Sequence, residues 1–404
     1  MEKFGDILRR HRTARRLSLR QLGALVNFNF THISQVECGT KRPSAQFAEV
    51  CDRALHANGA LMTAYESQVG DQDMRRRTVL WSMSTLAAVS AAGPSERLEA
   101  LRQMLNEAAR VGHDEWEQIV ADYGLGFYRL PREVLMDHLR SDLAVLHGLL
   151  AASTEPVRSR LLQAAARLSV IVALESTAAG QAMLTRRWWS TAHRLADESR
   201  DSETMVLTRA WETVNGCYDG RLPGQVVAIS DQVMPLVAGE PTAATCGLLS
   251  GRAQAFSLAG RHTEAVALMQ QVSDLTERLP DMVIADAESL WGWPEHRLRH
   301  AQSWIYSYAG DLTRADEAQN RAAQLYPGSQ RRLRAQVELH RAACLIRTGH
   351  ITDGLHMATS TLDGLPTEHH NELVRQVARF VIKAVPVAER KRPIFDELSQ
   401  RLHA

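Results

Sequence analysis

Cysteine is scarce and unpatterned. Five occur in 404 residues (Cys38, Cys51, Cys217, Cys246, Cys344), an odd number with no C-x-x-C pair. This argues against a disulfide framework or a thiolate zinc site and points to a reducing compartment. Glycine (24) and proline (13) are too few for a collagen-like or low-complexity chain. Lysine is nearly missing: only Lys3, Lys41, Lys383 and Lys391 stand among 47 cationic residues, a bias of GC-rich coding. The N-terminus has no apolar stretch of the kind that opens a secretory signal, so no cleavable leader is expected. One internal segment, residues 75–94, imitates a targeting signal, with three arginines before the 14 largely apolar residues Val79–Ala92. Fourteen residues cannot span a bilayer, so a packed linker helix is expected there and no membrane attachment. The expected location is the cytoplasm. P-loop, G-x-G-x-x-G, G-x-S-x-G and kinase signatures are all missing, so no enzyme and no cofactor are expected. His296 and His300 share a helix face, but the spacing suggests no third ligand and hence no metal.

What is present is a globular composition, 45% apolar and 23% charged, with a formal charge of only +1. The charge is unevenly placed. Residues 1–44 hold nine Lys/Arg against Glu2, Asp6 and Glu37, so a basic head precedes a mildly acidic body. Apolar residues at helical spacing predict five short helices over residues 1–66. Phe4, Ile7, Leu8 and His11 mark the first. Ser18 caps the second, which buries Leu22, Leu25 and Val26. The third runs from Phe30 to Glu37 with Ile33 and Val36 inward. Ser44 caps the fourth, and the fifth holds Leu61, Met62 and Tyr65. A three-residue turn, Asn27 to Asn29, joins the second helix to the third, the layout of a helix–turn–helix.

Ser18, Leu22, the Ile33-Ser34 pair, Glu37 with Gly39, and Pro43 stand where the Cro/XRE family of phage-repressor-like regulators has its motif residues. The segment 18–44 resembles that family, with Gly23 and Asn27 replacing its usual Ala and Gly. The resemblance implies a five-helix lambda-repressor-like domain whose third helix enters the major groove of double-stranded operator DNA. It places Phe30, Thr31, Ser34 and Gln35 toward the bases with His32 beside them. Gln35 suits adenine, while Thr31 and Phe30 suit thymine methyls. Arg20, Asn29, Lys41 and Arg42 are expected on phosphates. Glu37 is expected to hold the end of the third helix and not to read bases.

Beyond Ser95 the apolar period is helical throughout, as over Ser95–Val111, Arg132–Ala152, Glu155–Ala178 and Gln330–Thr348. Gly260, Gly310 and Gly349 share a frame. A small residue stands seven before each (Ala253, Ser303, Ala342), a bulky one four before (Phe256, Tyr306, Leu345), and Ala265, Ala315 or Gly354 five after. A weaker copy lies near Trp211–Gly220. The frame resembles the tetratricopeptide repeat (TPR), although spacings of 50 and 39 residues exceed the family's. The resemblance implies a TPR-like solenoid whose first helices line a concave surface. It places Asn215, Ser250, Gln254, Arg297, His300, Trp304, Tyr308 and Arg347 there as candidate ligand-binding residues.

The fold expected is therefore all-α. A helix–turn–helix domain spans 1–66, a hinge and apolar linker helix 67–94, and a TPR-like sensor and dimerisation domain 95–404. The arrangement resembles peptide-responsive quorum-sensing regulators of the Rgg and PlcR type. That implies a homodimer on operator DNA whose affinity is altered by a short signalling peptide. A small metabolite in the same groove, and a TPR interaction scaffold with secondary DNA binding, remain open alternatives.

Overall fold

Polar residues at the helix starts set the local structure of the head. Ser18 and Gln21 form a reciprocal capping pair: the Gln21 amide donates to Ser18 Oγ (3.2 Å) and the Ser18 amide to Gln21 Oε1 (2.8 Å). Asn29 accepts from the Thr31 amide and Ser44 from the Phe47 amide, each satisfying a donor that the helix leaves open. The computed structural model describes residues 4–26, 28–39, 41, 43–65, 114–237 and 239–403; among these every regular element is helical. Asn27, Arg42, the hinge and linker 67–94 and the helix expected over Ser95–Val111 lie outside the described residues. Contacts divide the chain into two units, Met1–Gly93 and Pro94–Ala404.

In the first unit α1 is Phe4–Ala14, α2 Leu19–Val26, α3 Phe30–Glu37 and α4 Ala45–Leu55. Residues 60–65 form α5. One core joins them through Phe4, Leu8, Leu22, Ile33, Phe47 and Leu61, all almost fully buried. Asp52 ties α5 to α4 by accepting from the amides of Gly59 and Leu61.

In the second unit α6 is Asp114–Gly126 and α7 Arg132–Ala152. Six helical hairpins follow: α8 Val157–Ala178 with α9 Ala182–Ser199; α10 Ser202–Gly216 with α11 Pro223–Asp231; and α12 Ala243–Leu258 with α13 His262–Thr276. After the short α14, Asp281–Ala285, come α15 Glu295–Ala309 with α16 Leu312–Leu325, α17 Arg331–Arg347 with α18 Ile351–Asp363, and α19 Glu372–Ala384 with α20 Pro393–His403. The glycines of the shared frame all adopt the left-handed backbone that ends a first helix and reverses the chain, φ being 76° at Gly260, 74° at Gly310 and 95° at Gly349. The small residues of the frame are the close-packing points: Ala253, Ser303, Ala342 and Ala265 are fully buried.

The first helices of the hairpins lie side by side as an inner row, α8, α10, α12, α15, α17, α19, and α19 comes back against α8. The row thus closes on itself, where the repeat frame alone suggested an open groove. Among the described residues only α8 is long and apolar enough to cross a membrane, yet 89% of that stretch is buried inside the unit. It is a buried helix of the inner row.

Candidate functional site

On the head, the exposed face of α3 and its flanks presents Arg20, Asn29, Phe30, Thr31, Gln35 and Lys41, with Ser34 half-buried among them. The Arg20 guanidinium lies 5.3 Å from the centre of the Phe30 ring, so a cation and an apolar ring share one patch. The Asn29 side chain is already engaged as the cap of α3. His32 leaves this face. Its ring packs against Phe28 (5.5 Å between centroids) and Phe47 (5.0 Å), and burial, then the nearby Lys41 charge, hold its pKa below the ordinary value. The reason is helical phase: His32 precedes the inward Ile33, and the Phe28 ring draws it toward the core. Arg12 also leaves the solvated face. It forks onto Glu37, with Nε to Oε1 at 2.6 Å and Nη2 to Oε2 at 2.8 Å, and donates to the Leu17 carbonyl at 2.8 Å. Glu37 thereby fixes the end of α3 to α1.

In the body, the inner row surrounds a cavity that opens to solvent. Each of the six first helices contributes to its wall, for example Glu175 from α8, Trp211 from α10, Gln254 from α12, His300 from α15, Gln336 from α17 and Leu373 from α19. Three connections cover it: Phe127 and Tyr128 after α6, Leu290–Trp293 before α15, and residues 326–330 after α16. Five of the eight residues assigned from the repeat frame line it: Asn215, Ser250, Gln254, Arg297 and His300. Trp304, Tyr308 and Arg347 do not. Trp304 is fully buried, stacked on Tyr308 (5.1 Å, 15°) and met edge-on by Tyr218, His340 and Phe380. Arg347 lies 4.0 Å from the Tyr308 ring centre and donates to the Ser307 carbonyl. One and two turns beyond His300, Trp304 and Tyr308 meet His340 of α17 and Phe380 of α19, so these rings fill the seam between helices.

Three histidines set the electrostatics. Burial, then the Arg297 charge, push His296 down to about 4. Burial first, then His296 and Arg297, push His300 down to about 3. His340 is held well below its ordinary value by burial and by His300. All three are therefore neutral at physiological pH. His300 Nδ1 shares a 2.7 Å hydrogen bond with the Tyr326 hydroxyl, and His340 Nδ1 a 3.1 Å bond with Ser303 Oγ. No group of metal-ligating side chains occurs among the described residues. Burial also raises the Glu175 carboxyl, which Arg332 and Arg132 partly offset.

The repeat frame missed the covering segments. Trp291 and Trp293 sit in the insertion that lengthens the Gly260–Gly310 spacing, and two tryptophans in a W-G-W-P run were the available signal. This insertion also grips α6. The Trp291 indole donates to the Val120 carbonyl (2.8 Å), the Leu290 amide donates to the Gly124 carbonyl (2.9 Å), and Arg129 pairs with Glu288. A Cβ on Gly124 would stand 2.4 Å from the Trp291 ring, so only glycine permits this approach.

Residues 3–64 match the family model described as Helix-turn-helix domain. The head is thus a helix–turn–helix domain. The chain is also similar to Bacillus thuringiensis PlcR, whose crystal structure is in complex with the peptide PapR7 and DNA. The identity is 13% and the TM-score 0.33, covering 90% of this chain and 95% of that one. No curated protein matches the chain.

Proposed function

We propose that the chain is a sequence-specific DNA-binding transcriptional regulator, acting in the cytoplasm as a homodimer, whose TPR-like body binds an effector that alters operator binding. The observation that supports it most is the coexistence of an exposed α3 face, with Thr31 and Gln35 flanked by Arg20 and Lys41, and an aromatic-lined cavity in the body. In this reading Gln35 and Thr31 contact bases, Phe30 packs on thymine methyls, and Arg20 and Lys41 hold phosphates. Arg42 is assigned to phosphate by the same motif. The cavity wall is mostly apolar and aromatic with a few converging polar groups, the make-up of a ligand site.

The mechanism is a population shift: the effector must prefer one arrangement of the chain to change DNA affinity. The insertion 286–294 supports a route for this. It covers the cavity and is hydrogen-bonded to α6, the first described helix after residues 66–113. A ligand that moves Trp291 therefore acts on the described element of the body nearest in sequence to the head.

Mobility shifts with purified full-length protein test the reading. Gln35→Ala is expected to relax sequence choice. Arg20→Ala is expected to weaken all duplexes alike and lower the salt slope by about 1. Identical behaviour of the two variants would refute the assignment of α3.

A further inference from the structure

Charge in the cavity wall is unbalanced. Arg297 and Arg332 are cationic and Glu175 is anionic, while His296 and His300 are kept neutral by burial. Glu175 has Arg132 at 3.4 Å, and Arg332 lies close enough to offset its burial. Arg297 has no carboxylate within ion-pair reach among the described residues. Its two terminal amino groups are held instead by the carbonyls of Leu290 (2.9 Å), Gly292 and Ser289 (3.3 Å) and by the Tyr128 hydroxyl (3.4 Å), and the guanidinium lies 5.4 Å from the Trp211 ring centre. A guanidinium fixed in this way by neutral acceptors keeps its positive charge uncompensated and has its Nε–H left for an incoming carboxylate.

Hydrogen-bonding capacity is unbalanced in the same wall. Ser250 Oγ and Gln254 Oε1, on residues only 2% and 3% exposed, are buried without a partner. Buried polar atoms of this kind cost free energy until a donor or acceptor meets them. They lie on adjacent turns of α12 and both line the cavity.

We infer that the cavity takes a monocarboxylate carried on an apolar, ring-bearing body. Arg297 receives the carboxylate, and Ser250 and Gln254 hold a second polar group of the same molecule. The inference rests on the effector reading above and gives that effector its chemistry. Two cations against one carboxylate leave this mostly apolar wall one positive charge in excess, which suits one negative charge better than a phosphate dianion, half-compensated away from water. The same chemistry is offered by the C-terminus of a short peptide and by a small aromatic acid.

The test uses the full-length chain and its own tryptophan fluorescence, since Trp211, Trp291 and Trp293 line the cavity. Two matched pairs are titrated: hydrocinnamate against hydrocinnamide, and the tetrapeptide Ala-Ala-Leu-Phe as free acid against its C-terminal amide. In at least one pair the acid should bind about tenfold or more tightly than the amide, and the responding pair identifies the source. Arg297→Gln, checked for folding by circular dichroism, should bring acid and amide together. Equal binding of acid and amide by the wild-type chain, or binding of neither pair, overturns the inference without relying on any variant. Operator binding is measured separately without probe. An acid preference with no sequence-specific DNA binding would sink the regulator reading alone, and the reverse result would sink only this inference.

Discussion

Arg12 shows how one side chain can be misplaced by composition and then explained by geometry. In sequence it belongs to a run of arginines facing solvent. In the fold it is withdrawn onto Glu37, their side chains being only 12% and 5% exposed. The Glu37 hydrogen bond, the largest influence, holds the Arg12 pKa above its ordinary value despite burial. Breaking a buried pair from one side strands the other charge, so Glu37→Ala should destabilise the head by about 3–5 kcal/mol. Urea denaturation followed by circular dichroism measures it, and a loss below about 1 kcal/mol would show the pair to be solvated. The outward residues of α3 were legible from the motif because helical phase and cap are local. The inward turn of His32 was not, because it depends on Phe28 and Phe47 meeting around it.

At the scale of elements, the helices announced themselves through period and punctuation. Arg132–Ala152 has the bounds expected, and the helices expected over Glu155–Ala178 and Gln330–Thr348 differ by one or two residues at their ends. The hairpin turning at Gly180, with φ 71°, went unread. Its frame has Ser176 where the other repeats have a bulky residue, and Thr185 where they have Ala or Gly. The closure of α19 on α8 was also illegible, since nothing local encodes how much each hairpin rotates against the next. The insertion before α15 carries a prediction of its own. Gly124→Ala would drive a methyl into Trp291, so the insertion must leave α6. We expect a loss of about 1–3 kcal/mol and a weaker effect of any cavity ligand on DNA affinity. Undiminished coupling in that variant, read by mobility shift with and without ligand, would rule out this route.

Across the whole molecule, the buried neutral histidines link stability to pH. Their folded pKa values are lowered, so the unfolded chain binds protons first. Stability therefore falls as the pH drops below the unfolded value near 6.5 and keeps falling until the folded values, about 4 for His296 and about 3 for His300, are reached. Between pH 7 and pH 5, His296→Gln should retain about 2 kcal/mol more of its own neutral-pH stability than the wild-type chain does. Equal losses in denaturation at the two pH values would mean that His296 reaches water in the folded state. Function also belongs to this scale, because the proposed regulator must select sequence and act through two heads together. The most direct measurement is selection of bound duplexes from a random pool by the purified full-length protein near physiological salt. Enrichment of a palindrome whose half-sites lie about one helical turn apart is the expected result. A dimeric, folded protein that retains DNA without enriching any sequence, with or without a cavity ligand, would contradict the regulator reading and favour an interaction scaffold.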